Sequence, residues 1–411
     1  MKKKIHPACI LILLENHIYP NDVRVRPHAE SLSADGYRVT VIGPGGKGYA
    51  GSEIINGVQI YRYPALFAEN SKKEYIAEYL VSVFFLTILT LWVWIRHGLN
   101  ILLFYNPPDI LWICGLLPKL FGKTLVFDIR DLAPELFSSK FSGRVSILSK
   151  SLGWMEFLSC RVANHVVVTN ESSRKIICQR NKLDAGHVTV IRQGPDIEKI
   201  TPQSPDPALR ARAEIIVGYL GNMSPERGIG NLLQALMHLK YDLGYDNWLC
   251  VLIGRPTAAL NLEKMTAELG ITENILLMGF LPQDKWVSML STADICVDPG
   301  ASNPGNDVST TNKMMDYMAL EKPVVAFELP ERYGTAGDAA LYAHSNDNLD
   351  LAYKIAILID SPELRQKLGR AGRERVLNQL AWQYQESLLL ELFRQLTHNR
   401  PSYGGKQATK A

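Results

Sequence analysis

Several common signatures are missing from this chain, and each absence narrows what it can be. The six cysteines, Cys9, Cys114, Cys160, Cys178, Cys250 and Cys296, are scattered through 411 residues with no pair at metal-binding or redox spacing. Their mostly apolar neighbourhoods suit reduced core residues of a cytosolic protein, not a disulfide framework or a zinc site. Charge of one sign is also missing. Lys and Arg total 44 against 41 Asp and Glu, leaving +3, so no global field gathers nucleic acid. No DxD-type acidic motif marks a divalent metal, and no short-period repeat points to a solenoid. The longest apolar run, Leu80 to Ile95 (LVSVFFLTILTLWVWI), has about 16 residues, fewer than the roughly 20 that span a bilayer. The start, MKKKIHPACILILLENH, imitates a signal peptide, but Glu15 and Asn16 stand where a small-residue cleavage site belongs. Ala8 to Leu14 is read instead as a first buried strand.

The chain is long for one domain and comfortable for two, each able to bury its own core. Apolar strands alternate with helical stretches, the pattern of a parallel sheet covered on both faces. In the first half the strands are Cys9 to Leu14, Arg38 to Ile42, Ile101 to Phe104, Thr124 to Phe127, His165 to Val168 and Val188 to Ile191. Polar or glycine-bearing clusters follow them: ENHIYPNDVRVRP, GPGG, YNPPD, DIRDLAPE, TNES and RQGPD. Ligands of open α/β sheets bind at the carboxyl ends of strands, so these clusters should share a rim. Three prolines and little apolar content make Gln203 to Ala213 the best linker. The second half repeats the pattern with strands Ile215 to Leu220, Trp248 to Ile253, Ile275 to Met278, Asp294 to Val297, Val324 to Phe327 and Leu341 to Ala343. The expected division is 1–200, a linker 201–213, a second domain 214–380, a final helix 381–398 returning to the first domain, and a disordered tail 399–411.

The chemistry gathers at Asn303 to Glu331, NPGNDVSTTNKMMDYMALEKPVVAFELPE. Asn306, Asp307, Ser309, Thr310, Thr311 and Asn312 are short polar residues suited to capping a helix, and good helix formers follow from Lys313 to Leu320. A helix start near Thr310 to Asn312 offers free amide hydrogens and a positive dipole end, a site for phosphate. Asp316, one turn in, has the wrong charge for phosphate and suits a pair of sugar hydroxyls. After Ile215 to Leu220 comes GNMSPERGIGNLLQAL, a glycine turn and helix that can also hold a diphosphate. Taken alone, Arg227 there reads more readily as a solvated helix-start charge than as a ligand group, and Asp307 and Asp131 read as caps or surface ion pairs.

KMMDYMALEKPVVAFELPE resembles the donor-binding segment of glycosyltransferase family 4, retaining enzymes with the GT-B fold. NDVRV, YNPPD, VFDIRDLAPE and ANHVVVTNES are similar to landmarks of the same family. The resemblance implies an α/β protein of GT-B type, two Rossmann-like doubly wound parallel-sheet domains facing a central cleft. It places Asp316 at the second acidic position of the family's acidic pair. Val308 stands eight residues earlier at the first, and Glu321 replaces the glycine that usually ends the helix. It also implies that Arg227 and Gly228 match the family's basic residue and glycine, while Asn222 occupies a position that is often arginine. Arg130 stands where many members have a histidine facing the donor sugar; it either touches that sugar or pairs with Asp128 or Asp131.

The implied activity moves a sugar from a nucleotide-sugar donor to a saccharide or lipid-linked saccharide acceptor in bacterial surface-polysaccharide assembly. No cofactor or metal is expected. Positive potential at the departing diphosphate would come from Arg227 and the helix end at Thr310, Thr311 and Asn312. Asp316 would hold ribose hydroxyls, Asp307 and Glu328 lie near the sugar, and Arg130 or Asp131 reach in from the other domain. Two alternatives stand: a hydrolysing nucleotide-sugar epimerase of the same fold, and a catalytically silent scaffold, the latter motivated by Val308, Asp316 and Glu321. The run Leu80 to Ile95 has only Ser82, Thr87 and Thr90 to interrupt it, so a second surface must cover it. Its flanks Lys72, Lys73 and Arg96 suit an interfacial helix, which puts the protein at the inner face of the cytoplasmic membrane. The other reading buries this helix in the domain or in a dimer contact.

Overall fold

A computed structural model describes residues 8–65, 72–140, 147–257 and 260–398. The first sheet contains β1 (Cys9–Leu13), β2 (Arg38–Pro44), β3 (Ser52–Ile55), β4 (Val58–Tyr63), β5 (Ile101–Tyr105), β6 (Thr124–Ile129), β7 (His165–Val168) and β8 (Val188–Val190). Its order is β3-β4-β2-β1-β5-β6-β7-β8. The second sheet contains β9 (Ile215–Leu220), β10 (Trp248–Ile253), β11 (Ile275–Gly279), β12 (Ile295–Asp298), β13 (Val324–Phe327) and β14 (Ala340–Ala343), in the order β11-β10-β9-β12-β13-β14. Every pairing is parallel except that of β3 with β4.

Continuous apolar strands form here because both faces of each sheet are covered. Along β1, Ile10 and Ile12 enter one core while Leu11 and Leu13 enter another on the opposite face, following the two-residue period of a strand. In β10, Cys250 and Leu252 face one core and Leu249, Val251 and Ile253 the other. Five of the six cysteines are buried, and all six are free.

The β3–β4 hairpin is absent from the sequence-based strands. Its turn is Asn56 (φ 49°) and Gly57 (φ 82°), the dipeptide that most favours a two-residue turn with positive φ at both centres. The stretch read as linker is docked rather than free. Asp206 caps a short helix Pro207–Arg210, Leu209 is buried against the second domain, and Arg210 meets Asp294 at 2.9 Å. The helix Trp382–His398 returns to the first domain, where Leu389, Leu392 and Phe393 join the core beside β1. The expected tail from Asn399 lies outside the described residues.

The helix Lys72–His97 connects β4 to β5 and is longer than the apolar run suggested. Its inward stripe is Ser82, Leu86, Thr90 and Val93, all buried; its outward stripe is Leu80, Phe84, Ile88, Trp92 and Ile95, all exposed. By length and composition Ala77–His97 could cross a membrane. Its inner face is instead part of the domain core, with Leu86 and Val93 packed beside β1, β5 and β6. The helix is thus core on one side and exposed apolar surface on the other.

Candidate active site

The loop after β12 holds the most concentrated chemistry. Asp298 ends the strand, almost fully buried, and accepts hydrogen bonds from Thr311 Oγ1 (2.6 Å) and Arg332 Nε (3.0 Å). Lys313 Nζ stands 3.4 Å from its other oxygen and 4.4 Å from the centre of the Tyr219 ring. Burial alone would raise Asp298, but Arg332 and Lys313 outweigh it and hold the carboxyl below the ordinary range. Arg332 also donates to the carbonyl oxygens of Asn306 (2.9 Å) and Ser309 (3.3 Å), which pins the loop.

The helix begins at Asn312, with Thr311 as its flanking residue. Because the Thr311 hydroxyl is spent on Asp298, no side chain caps the helix; the Met314 N–H turns back to the Thr311 carbonyl oxygen (3.2 Å), and the amides of Asn312 and Lys313 are left without a helical partner. The turn after β9 comes up beside this loop. Gly228 has φ 76°, and a Cβ there would lie 1.9 Å from the Pro299 carbonyl oxygen, so only glycine lets the two segments meet. Exposed Arg227 precedes it. At the far end of the helix Glu321, where glycine was the expectation, adopts φ 59°, a left-handed conformation that costs about 1 kcal/mol for a residue with a Cβ.

Two cavities lie between the domains on either side of this helix start. The first, of 430 Å³, is lined by Asp131 and Ser139 of the first domain and by Asn222, Arg227, Asn303 and Asn306 of the second. The second, of 450 Å³, is lined by Asn312 and Asp316 together with Arg26, Gln283, Trp286 and Trp382. Burial pushes Asp316 up to about 7. The structure thus gathers Asp131, Asn222 and Arg227 in one cavity and Asn312 and Asp316 in the other.

The remaining expected residues are placed otherwise. Arg130 bonds neither Asp128 nor Asp131 and does not line the first cavity. Its guanidinium is fixed to Asp22 at 2.7 and 2.8 Å and lies over the Tyr105 ring. Asp128 is occupied by Arg24 at 2.8 and 2.9 Å. Asp22 also accepts the backbone N–H groups of Arg24 and Val25, which fixes it at the start of the helix Val25–Ala34. Asp307 turns to Ser302 Oγ (3.2 Å) and lines neither cavity. Glu328 is exposed and also lines neither. The Thr310 hydroxyl accepts from Asn170 Nδ2 (3.0 Å), a bond between the domains.

Sequence reasoning missed the contacts that close the cleft. Asn170, at the start of the helix Glu171–Asn181, also donates to the Val308 carbonyl oxygen (2.8 Å). The Val308 side chain packs against the apolar core of the first domain, so the residue at the expected acidic position serves the domain contact. Glu331, buried, accepts from Ser172 N (3.2 Å) and lies 3.7 Å from Arg192. Lys313 was passed over as a helix former. A lysine in the first turn of a helix opposes the dipole, and that was the available signal. Nothing local singles out Glu331.

Comparison with known proteins bears on the family and the fold. Residues 23–199 match the pattern described as Glycosyltransferase Family 4, and residues 202–375 that described as Glycosyl transferases group 1. The chain belongs to glycosyltransferase family 4. Among solved structures it superposes on sucrose-phosphate synthase from Thermosynechococcus elongatus with TM-score 0.76 at 16% identity, covering 95% of this chain and 99% of that one. Against HepE of Anabaena in complex with UDP-glucose the values are 0.70 and 14%, with 94% and 99% covered. The architecture is GT-B. Of the curated relatives, alpha-maltose-1-phosphate synthase of Mycolicibacterium smegmatis is 24% identical over 266 residues, 59% of this chain and 66% of that protein. The lipopolysaccharide core biosynthesis glycosyltransferase LpsD of Rhizobium meliloti is 26% identical over 207 residues, 50% of this chain and 55% of that protein. The matched stretches thus span less than two thirds of these relatives.

Proposed function

We propose that the chain is a retaining glycosyltransferase that moves a sugar from a nucleotide-sugar donor to a saccharide or lipid-linked saccharide acceptor in cell-surface polysaccharide assembly. The observation that carries this reading is the uncapped helix start at Asn312 with Lys313 beneath it and Arg227 beside the neighbouring cavity. Preorganised amide hydrogens and cations are what a departing diphosphate requires as the anomeric bond breaks. The chain's own groups supply that potential, with no metal or cofactor called on. Asp316 holds ribose hydroxyls in its cavity, and Asp131 faces the sugar side from the other domain. The UDP-glucose bound to HepE and the lipopolysaccharide role of LpsD support the donor and acceptor classes. The site of action is the inner face of the cytoplasmic membrane, which the outward stripe of Lys72–His97 contacts.

The Val308 contact gives the silent-scaffold reading its one specific support, since an apolar residue stands where a carboxylate would meet the sugar. One set of measurements separates the readings. Isothermal titration with a panel of nucleotide sugars, followed by product analysis with and without a saccharide acceptor, should show binding and acceptor-dependent nucleoside diphosphate release. An epimerised or hydrolysed sugar from donor alone would favour the epimerase, and no binding by any donor would favour the scaffold.

A further inference from the structure

Exposed large apolar side chains concentrate on one flank of the first domain. The helix Lys72–His97 presents Leu80, Phe84, Ile88, Trp92 and Ile95, the last 85% exposed. Beside it, the end of the helix Trp112–Leu120 adds Leu116, Leu117, Leu120 (83% exposed) and, just past it, Phe121 (66%). The two meet where Trp94 packs edge-on against Phe121, with 5.4 Å between ring centres. The helix Ile147–Val162 continues the flank with Trp154, 64% exposed. Apolar side chains gathered on neighbouring helices in this way are the kind of surface that marks an interaction site.

The charges at the far edge of this patch are positive, whereas the acidic Glu78 lies at its rim end, two positions before Leu80. Lys123 lies over the Trp94 ring and Arg161 over the Phe157 ring. Lys150 sits one turn before Trp154, and Arg96 follows Ile95. Glu156, the acidic residue among the described positions of Ile147–Val162, is buried and paired with Arg180. Two copies joined by a twofold axis would set this patch against itself, and the cations of each copy would then confront those of the other. A bilayer with anionic headgroups meets both features: apolar side chains enter below the headgroups while lysine and arginine stay level with them.

We infer that the outward faces of Lys72–His97, Trp112–Leu120 with Phe121, and Ile147–Val162 form one docking surface for an anionic lipid bilayer. This rests on the membrane contact proposed above, and adds the two further helices and the preference for anionic lipid. Topology also fixes the orientation. Lys72–His97 follows the carboxyl end of β4 and runs back to the start of β5, so Leu80 lies nearer the cleft rim while Ile95, Leu120 and Phe121 lie at the far edge. An acceptor carried in the bilayer therefore arrives along this flank beside the rim.

The test is co-sedimentation of the full chain with vesicles of phosphatidylcholine alone or mixed with phosphatidylglycerol. The parent should bind both, the mixed vesicles more tightly. Leu120→Ser with Phe121→Ser should weaken binding to both by on the order of tenfold or more. Lys123→Glu with Arg161→Glu should reduce the anionic preference by about fivefold per site and leave neutral vesicles unaffected. All four positions lie away from the cleft, so melting temperature and nucleotide-sugar affinity should match the parent, which separates this outcome from failure of the transferase reading. Parental vesicle binding in both double variants overturns the inference. So does a parent that ignores vesicles and sediments as a dimer that Leu120→Ser with Phe121→Ser dissociates.

Discussion

The two domains share an architecture and differ in where their charge is left unpaired. In the first domain Arg130, a site candidate in sequence, is tied to Asp22, and Arg24 beside it to Asp128, all largely buried. In the second, one carboxylate, Asp298, sits among Arg332 and Lys313, with Arg227 exposed nearby. Paired charge rigidifies and surplus charge binds. On the proposed function the first domain supplies the frame and the second the groups that would hold the departing anion.

The sharpest test of that contrast is Arg130→Ala. Removing one partner of a largely buried pair strands Asp22, a loss of roughly 3 to 5 kcal/mol of folding stability. It should appear as a large drop in melting temperature, with turnover per folded molecule little changed. A variant that melts like the parent but has lost turnover would put Arg130 back at the donor and break the comparison.

Next in size is the opposite result in the second domain. Arg227→Ala should lower kcat by an amount worth roughly 2 to 4 kcal/mol of transition-state stabilisation and leave the melting temperature within a degree or so, because an exposed cation contributes little to folding. Lys313→Met should act in the same direction on kcat. It should also cost some stability, since Asp298 keeps Arg332 as its one cation, with the Thr311 hydroxyl. Parental kcat in both variants would leave the second domain without an anion site.

Asp316→Asn should weaken nucleotide-sugar binding by roughly 1 to 3 kcal/mol, read by calorimetry. With its carboxyl raised to about 7 by burial, parental affinity should fall as pH drops from about 8 to about 6, and the variant should lose that dependence. The stability sign is the reverse. A carboxyl raised in the folded state favours folding below its unfolded pKa and loses that contribution as pH rises through 7. The asparagine variant should therefore melt higher than the parent at about pH 8 and not at about pH 4. The smallest effect belongs to Glu328→Ala, exposed and outside both cavities, which should keep turnover within about twofold. A larger loss would mean that the cleft closes further around the sugar.

Twelve of the fourteen strands, the presence of two domains and the helix start at Asn312 were legible in the chain. They depend on local pattern, namely runs of buried apolar residues, polar clusters at strand ends and a string of capping residues before helix formers. The β3–β4 hairpin was missed, although Asn56 and Gly57 carry its turn signal. The partners of Arg130 and Val308 were not legible. Asp22 lies 108 positions from Arg130, Asn170 lies 138 from Val308, and no periodicity encodes pairings across such distances. The same limit governs Leu80 to Ile95. Its sequence fixes a helix apolar all round, but which half meets the sheet, and that Leu120, Phe121 and Trp154 extend the other half, follow only from how the crossovers pack. Hydrophobic pattern is a property of neighbours along the chain, whereas a buried ion pair or a shared surface is a property of segments brought together by folding.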